Sequence, residues 1–180
     1  MRAQHAISHG NFTEITTTGV ENKWLVGYGL AGGLIGGLTF ILLQMFVAWI
    51  ATEQLLIPLI LIATIPLQEI PASISLADAI IGGGLFHFAF SAVVGMIFGF
   101  VIMAIPKIKL SLLNVVLIST LGGFFLWLID FYVLAPLLNA PWFATQTNPL
   151  IQFIIHTFFF GTVFGLYFGA EVPKRMYIEE

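Results

Sequence analysis

Four stretches of the chain, 24–50, 79–105, 110–134 and 149–170, are each long and apolar enough to cross a bilayer, whose hydrocarbon core takes about 20 residues of helix. Inside lipid every backbone N–H and C=O must be paired within the protein, so segments of this length fold as helices. Composition agrees: 59% of the 180 residues are hydrophobic and 8% are charged, against roughly 25% charged residues in soluble domains. The sequence therefore predicts an all-α, polytopic membrane protein with four transmembrane helices. A fifth apolar run, LLIPLILIATI at 55–65, carries Pro58 and is followed by Pro66. It is too short and too broken to cross, and is expected to lie along the interface or to re-enter from the first outer loop.

Residues 1–23 form a polar tail without the basic start and apolar run of a cleavable signal, so the first span is expected to remain as an anchor. A second short tail covers 171–180. All six basic residues fall on one side of this arrangement: Arg2, Lys23, Lys107, Lys109, Lys174 and Arg175. The loops at 51–78 and 135–148 carry none, so the positive-inside rule predicts a plasma (inner) membrane protein with both termini in the cytoplasm. Trp24, Trp49, Trp142 and Tyr177 stand near the predicted boundaries, where amphipathic rings settle at headgroup level. Asn148 before Pro149 reads as a helix cap with proline at the first helical position. The absence of cysteine excludes disulfides and thiolate metal sites. No basic, aromatic-interleaved patch points to nucleic acid.

The spans read as two helical hairpins in tandem. Span 1 carries LIGGLTF and span 3 TLGGFFL, and an offset of 70 lays Ser91, Gly95 and Gly99 of span 2 on Gly161, Gly165 and Gly169 of span 4. The histidines miss by one, since His87 falls on Thr157 and not on His156. Small residues at every fourth position, Gly29, Gly33 and Gly37, then Gly95 and Gly99, then Gly161, Gly165 and Gly169, let helix backbones approach closely. They predict a tight cytoplasmic half. The bulkier side chains, including Gln44, Trp49, His87, Phe90, Trp127, Asp130 and His156, collect in the outer half, where any cavity would open.

Ionisable side chains inside a span are costly and mark candidate functional positions. His87, Asp130 and His156 qualify, with Gln44 and Glu53 as further polar groups of the outer half. His87 and His156 lie at similar depth on two helices. They could clamp a b-type haem or, with Asp130 or Glu53, hold a metal ion; the simpler reading is that each imidazole hydrogen-bonds a carbonyl, a hydroxyl or Asp130 and locks the bundle. No Ser-His-Asp arrangement, nucleotide loop or carboxylate pair within a span is recognisable, so the sequence leans away from an enzyme.

The segments GLFHFAFSAVVGMIFG, LIDFYVLAP and NPLIQFIIHTFFFGTVFGLYFG resemble a loose group of four-span prokaryotic membrane proteins without characterised function. Their shared pattern is a glycine-rich first span, a histidine in the second, an aromatic end to the third beginning with Asn or Asp, and a histidine before an aromatic-glycine run in the fourth. The resemblance implies the fold and singles out His87, Asp130 and His156, but it brings no activity. From these features the leading expectation is a non-catalytic helical subunit of a larger membrane complex, such as a redox or respiratory enzyme, that packs against other subunits and lipid. A haem- or metal-binding protein using His87 and His156 is the next reading, and a small transporter or proton conductor the third.

Overall fold

The computed structural model describes residues 22–105, 111–140 and 142–176, and these are helical apart from short connections. Four helices are long and apolar enough to cross a membrane. They are α1 (Asn22–Thr52), α3 (Leu76–Ala104), α4 (Leu112–Leu137) and α6 (Pro149–Ile154 continuing through Ile155–Thr162 to Val163–Met176). Between them lie α2 (Ile57–Leu67) and the single turn α5 (Trp142–Thr145). Asn148 caps α6: its side-chain oxygen accepts from the Leu150 and Ile151 N–H groups at 3.0 and 3.2 Å, and Pro149 fills the first helical position. Ser111 caps α4 in the same way through the Asn114 N–H.

The spans alternate in direction and close in a ring in the order α1, α3, α4, α6. The most extensive contacts join α1 to α3 and α4 to α6, α1 also packs closely on α6, and α3 touches α4 most sparsely. Both tight pairs are built on glycine. A Cβ on Gly33 would lie 2.2 Å from the Ser91 carbonyl oxygen, and one on Gly95 2.3 Å from that of Gly29. In the second pair, a Cβ on Gly161 would lie 2.4 Å from the Ser119 oxygen and one on Gly123 2.4 Å from that of His156. The offset of 70 carries the first set of contacts onto the second, because Gly95 and Ser91 of α3 become Gly165 and Gly161 of α6, both in backbone contact with α4. Apolar lipid supplies little drive for apolar surfaces to meet, so this close backbone approach is what holds the pairs together.

The one-residue miss of the histidines has a structural reason. Residues Ile155–Thr162 form a π-helix, whose wider turn bonds i to i+5 and so takes up an extra residue. Gly161 near its end and Gly165 and Gly169 beyond it follow the offset of 70, while His156, its second residue, follows an offset of 69. Two more π segments, Ala79–Gly83 and Asp130–Leu134, interrupt α3 and α4.

The two ends of the bundle differ. At the end where α1 begins, Ile102, Val115, Phe164, Phe168 and Val172 make a dense core, with Phe164 and Phe168 wholly buried and stacked at 5.3 Å. At the other end α2 leans into the bundle, where its Leu59 packs with Ile41 of α1 and Ala79 of α3. Ile41 lies about 16 Å below the end of α1 at 1.5 Å per residue, so α2 reaches well into the depth of the spans. Gly83 permits this, since a Cβ there would sit 2.3 Å from the Leu59 carbonyl oxygen.

Of the basic residues behind the orientation, Arg2, Lys107 and Lys109 lie outside the described residues, as do the tail at 1–21 and Tyr177. Lys23 begins α1 and Lys174 and Arg175 end α6, so these three share the end of the bundle opposite α2.

Candidate functional site

At the α2 end the four spans do not close on one another. They enclose a cavity in which water-sized centres have about 120 Å³, room for several waters at roughly 10–15 Å³ each. Most of its wall is apolar, from Phe40, Ile62, Phe90, Leu126, Phe131 and Leu134 among others, and its polar groups are Gln44, His87, Ser91, Asp130, Thr147, Gln152 and His156. Three of the sequence-selected residues, His87, Asp130 and His156, therefore meet around one space together with Gln44. Glu53 does not join them. It ends α1 in a left-handed conformation (φ 60°) on the exposed surface beside Trp49 and Ile50.

Each imidazole is fixed by a carbonyl. The His87 Nε2 lies 2.8 Å from the Gly37 oxygen and the His156 Nδ1 lies 2.7 Å from the Gln152 oxygen. A carbonyl can only accept, so a proton sits on Nε2 in His87 and on Nδ1 in His156. Phe40 packs on both rings, stacked on His87 at 5.5 Å and edge-on to His156 at 4.7 Å. Phe131 closes on His156 from another side at 5.9 Å.

The remaining nitrogen of His156 decides the chemistry. Its Nε2 lies 3.3 Å from the Asp130 Oδ2. With Nδ1 already donating, a neutral His156 would present a lone pair to a carboxylate oxygen, and two acceptors repel. One proton must lie between them, either on the imidazole or on the carboxyl. The pair is thus neutral as a unit. Both partners sit at or beside π segments, His156 within Ile155–Thr162 and Asp130 at the start of Asp130–Leu134, and such segments are frequent at functional sites.

The second oxygen, Asp130 Oδ1, is buried and has no hydrogen-bond partner. Among the described residues four other buried side-chain atoms share that condition, on Ser119, Trp127, Trp142 and Thr157, but none of those residues lines the cavity. A buried acceptor left unpaired costs about 1–3 kcal/mol.

Sequence reasoning missed Gln152. Its side chain exchanges two hydrogen bonds with Gln44, at 2.7 and 3.0 Å, tying α6 to α1 beside the cavity, while its carbonyl holds His156. Its spacing of four from His156 was the available signal; a neutral amide draws less attention than a charge. Bonds of this kind within membranes are worth about 0.6–1.7 kcal/mol. Gln152→Leu alone is expected to destabilise the bundle by more than the Gln44→Leu/Gln152→Leu double variant does, because the single change strands an amide. Unfolding in detergent, followed by circular dichroism, checks this ordering.

Both nitrogens of His156 are engaged, with Gln152 and Asp130, while His87 donates from Nε2 to Gly37 and keeps the lone pair of Nδ1, so the two histidines do not offer a matched pair of free ligand nitrogens. Among the described residues no group of three or more His, Asp or Glu side chains is placed to hold a metal ion. The stripe glycines Gly29, Gly33, Gly37, Gly95, Gly99, Gly161, Gly165 and Gly169 all face another part of the same chain, so none of these stripes is left over for a partner helix. No protein family, curated protein or solved structure that was compared matches this chain.

Proposed function

We propose that this protein is a small binding or carrier protein of the inner membrane, with both termini cytoplasmic, that holds a membrane-soluble molecule in the cavity at its outer end. The observation that carries this reading is Asp130: it lines a cavity whose wall is mostly apolar, one of its oxygens is matched to His156, and the other is buried without a partner. Pockets that bind small molecules combine an apolar wall with a few convergent polar groups. The sparse contact between α3 and α4 gives such a molecule a route from the bilayer.

Mass spectrometry of what the protein retains through mild detergent purification tests the proposal. A small molecule is expected at about one per chain, and filling the cavity with Ile62→Trp is expected to lower its occupancy at least tenfold. Equal retention by the filled variant, or nothing retained above bulk lipid, would falsify the reading.

Proton conduction is a second reading, favoured by the proton shared between His156 and Asp130. It predicts proton flux into liposomes that Asp130→Asn abolishes, since an amide cannot release a proton to its neighbour. If the chain also serves as a subunit of a larger complex, it docks through apolar side chains such as Leu42, Phe46 and Leu121, which are exposed on its outer face.

A further inference from the structure

We infer that the molecule held in the cavity is an uncharged lipid bearing a hydroxyl group, an alcohol or a phenol, whose O–H donates to Asp130 Oδ1. The inference rests on the binding function proposed above and adds the chemical class of the ligand.

Three features of the site select this class. First, the unpaired group is an acceptor, so its partner must be a donor; a ketone, ester or ether would leave it unpaired and bring a second acceptor beside it. Second, the proton count fixes the charge of the partner. Because Nδ1 of His156 donates to the Gln152 carbonyl, the His156–Asp130 pair already holds one proton and is neutral as a unit. An ammonium head would enter an apolar space opposite a neutral pair, and an uncompensated charge there is expensive. A carboxylate or phosphate head would meet Asp130 with like charge or bare lone pairs. A neutral hydroxyl meets neither cost. Third, the wall selects the body. Phe86 and Phe90 of α3, stacked at 6.2 Å, line the cavity with Leu134 of α4 and Leu138 just after it, and α3 and α4 make the sparsest contact between neighbours in the ring. The space of about 120 Å³ accommodates a head and the carbons next to it. A longer apolar tail leaves between α3 and α4 into lipid, where it loses no solvation.

Asp130 accordingly acts as an acceptor and not as a base. Asparagine at this position does the same job: its N–H₂ donates to the His156 lone pair without any shared proton, and its carbonyl oxygen is left for the ligand. Alanine does neither.

The test is binding of farnesol and 4-nonylphenol to the full chain in lipid nanodiscs, measured by equilibrium partition of labelled probe against empty discs, with their methyl ethers and farnesylamine alongside. The two hydroxyl probes are expected to bind one per chain and at least tenfold more tightly than their ethers. Asp130→Ala is expected to bring alcohol and phenol down to the level of the ethers and to leave the ethers unchanged. Asp130→Asn, which folds with the pair satisfied, is expected to retain hydroxyl binding within about threefold. Ethers binding as well as hydroxyl probes, or farnesylamine binding more tightly than farnesol, overturns the ligand class while the binding function stands. Failure of all five probes to bind above empty discs overturns both. Loss of hydroxyl binding in Asp130→Asn, with the variant unfolding at the same temperature as the parent, overturns the role given to Oδ1.

Discussion

Gly95→Leu is expected to lower the unfolding temperature in detergent by roughly 6–12 °C, as a loss of about 3 kcal/mol does for a chain of this size. A Cβ at Gly95 would come within 2.3 Å of the Gly29 oxygen, 2.5 Å of the Gly33 Cα and 2.6 Å of the Gly33 nitrogen. These are backbone atoms of a helix that cannot turn aside, so α1 and α3 must separate along much of their shared length. Overpacking costs typically 1–3 kcal/mol, and a leucine placed between two backbones belongs at the upper end. The effect opposes an intrinsic gain, because glycine inside a helix is about 0.5–1 kcal/mol worse than alanine. Gly84→Leu isolates that gain, since nothing lies within 4 Å of its Cβ position, and it is expected to unfold at or slightly above the parent temperature. Thermal unfolding of the two variants side by side decides the matter. Equal behaviour would show that α1 and α3 do not meet through this stripe.

His156→Leu is expected to cost about 3–5 kcal/mol, the usual loss when one partner of a buried charge-bearing pair is removed. The variant leaves both oxygens of Asp130 without a partner and releases the Gln152 carbonyl from its imidazole donor. Asp130→Asn is expected to cost less than about 1 kcal/mol, because its amide N–H replaces the shared proton as donor to His156. Combining His156→Leu with Asp130→Leu should recover part of the loss, with a coupling of about 0.5–3 kcal/mol for residues in contact. Equilibrium unfolding in mixed micelles of the parent, the two leucine single variants, their double variant and Asp130→Asn reads all five species. Two mild single effects that simply add would mean that the pair does not share a proton in the folded protein.

Much of the architecture was legible in the chain. The span boundaries agree to within a few residues with Leu76–Ala104, Leu112–Leu137 and Pro149–Val172, since length and apolarity of a continuous segment are local properties. The cap at Asn148 was legible for the same reason. His87, Asp130 and His156 could be singled out because a titratable group in lipid is rarely without a role, and the structure brings all three to one cavity. The place of Glu53 was not legible. A left-handed residue at the end of α1 turns the chain outward there, and no local pattern announced it. Nor could α2 be seen as a wall of the cavity. Its docking depends on Gly83 of a different helix allowing the Leu59 carbonyl to approach.

The sequence by itself determined that this chain is built of four apolar helices, where they begin and end, and which polar side chains they must bury, because each of these follows from the cost of exposing peptide groups and charges to hydrocarbon. Only the tertiary structure decided which glycines meet which backbones, that Gln44 pairs with Gln152, and that His156 turns toward Asp130 while His87 turns toward the carbonyl of Gly37. Those choices depend on the register between helices far apart in the chain. A single extra residue in the wide turn of α6 accompanies the one-residue difference in where the two histidines fall, and Asp130 Oδ1 is left buried without a partner.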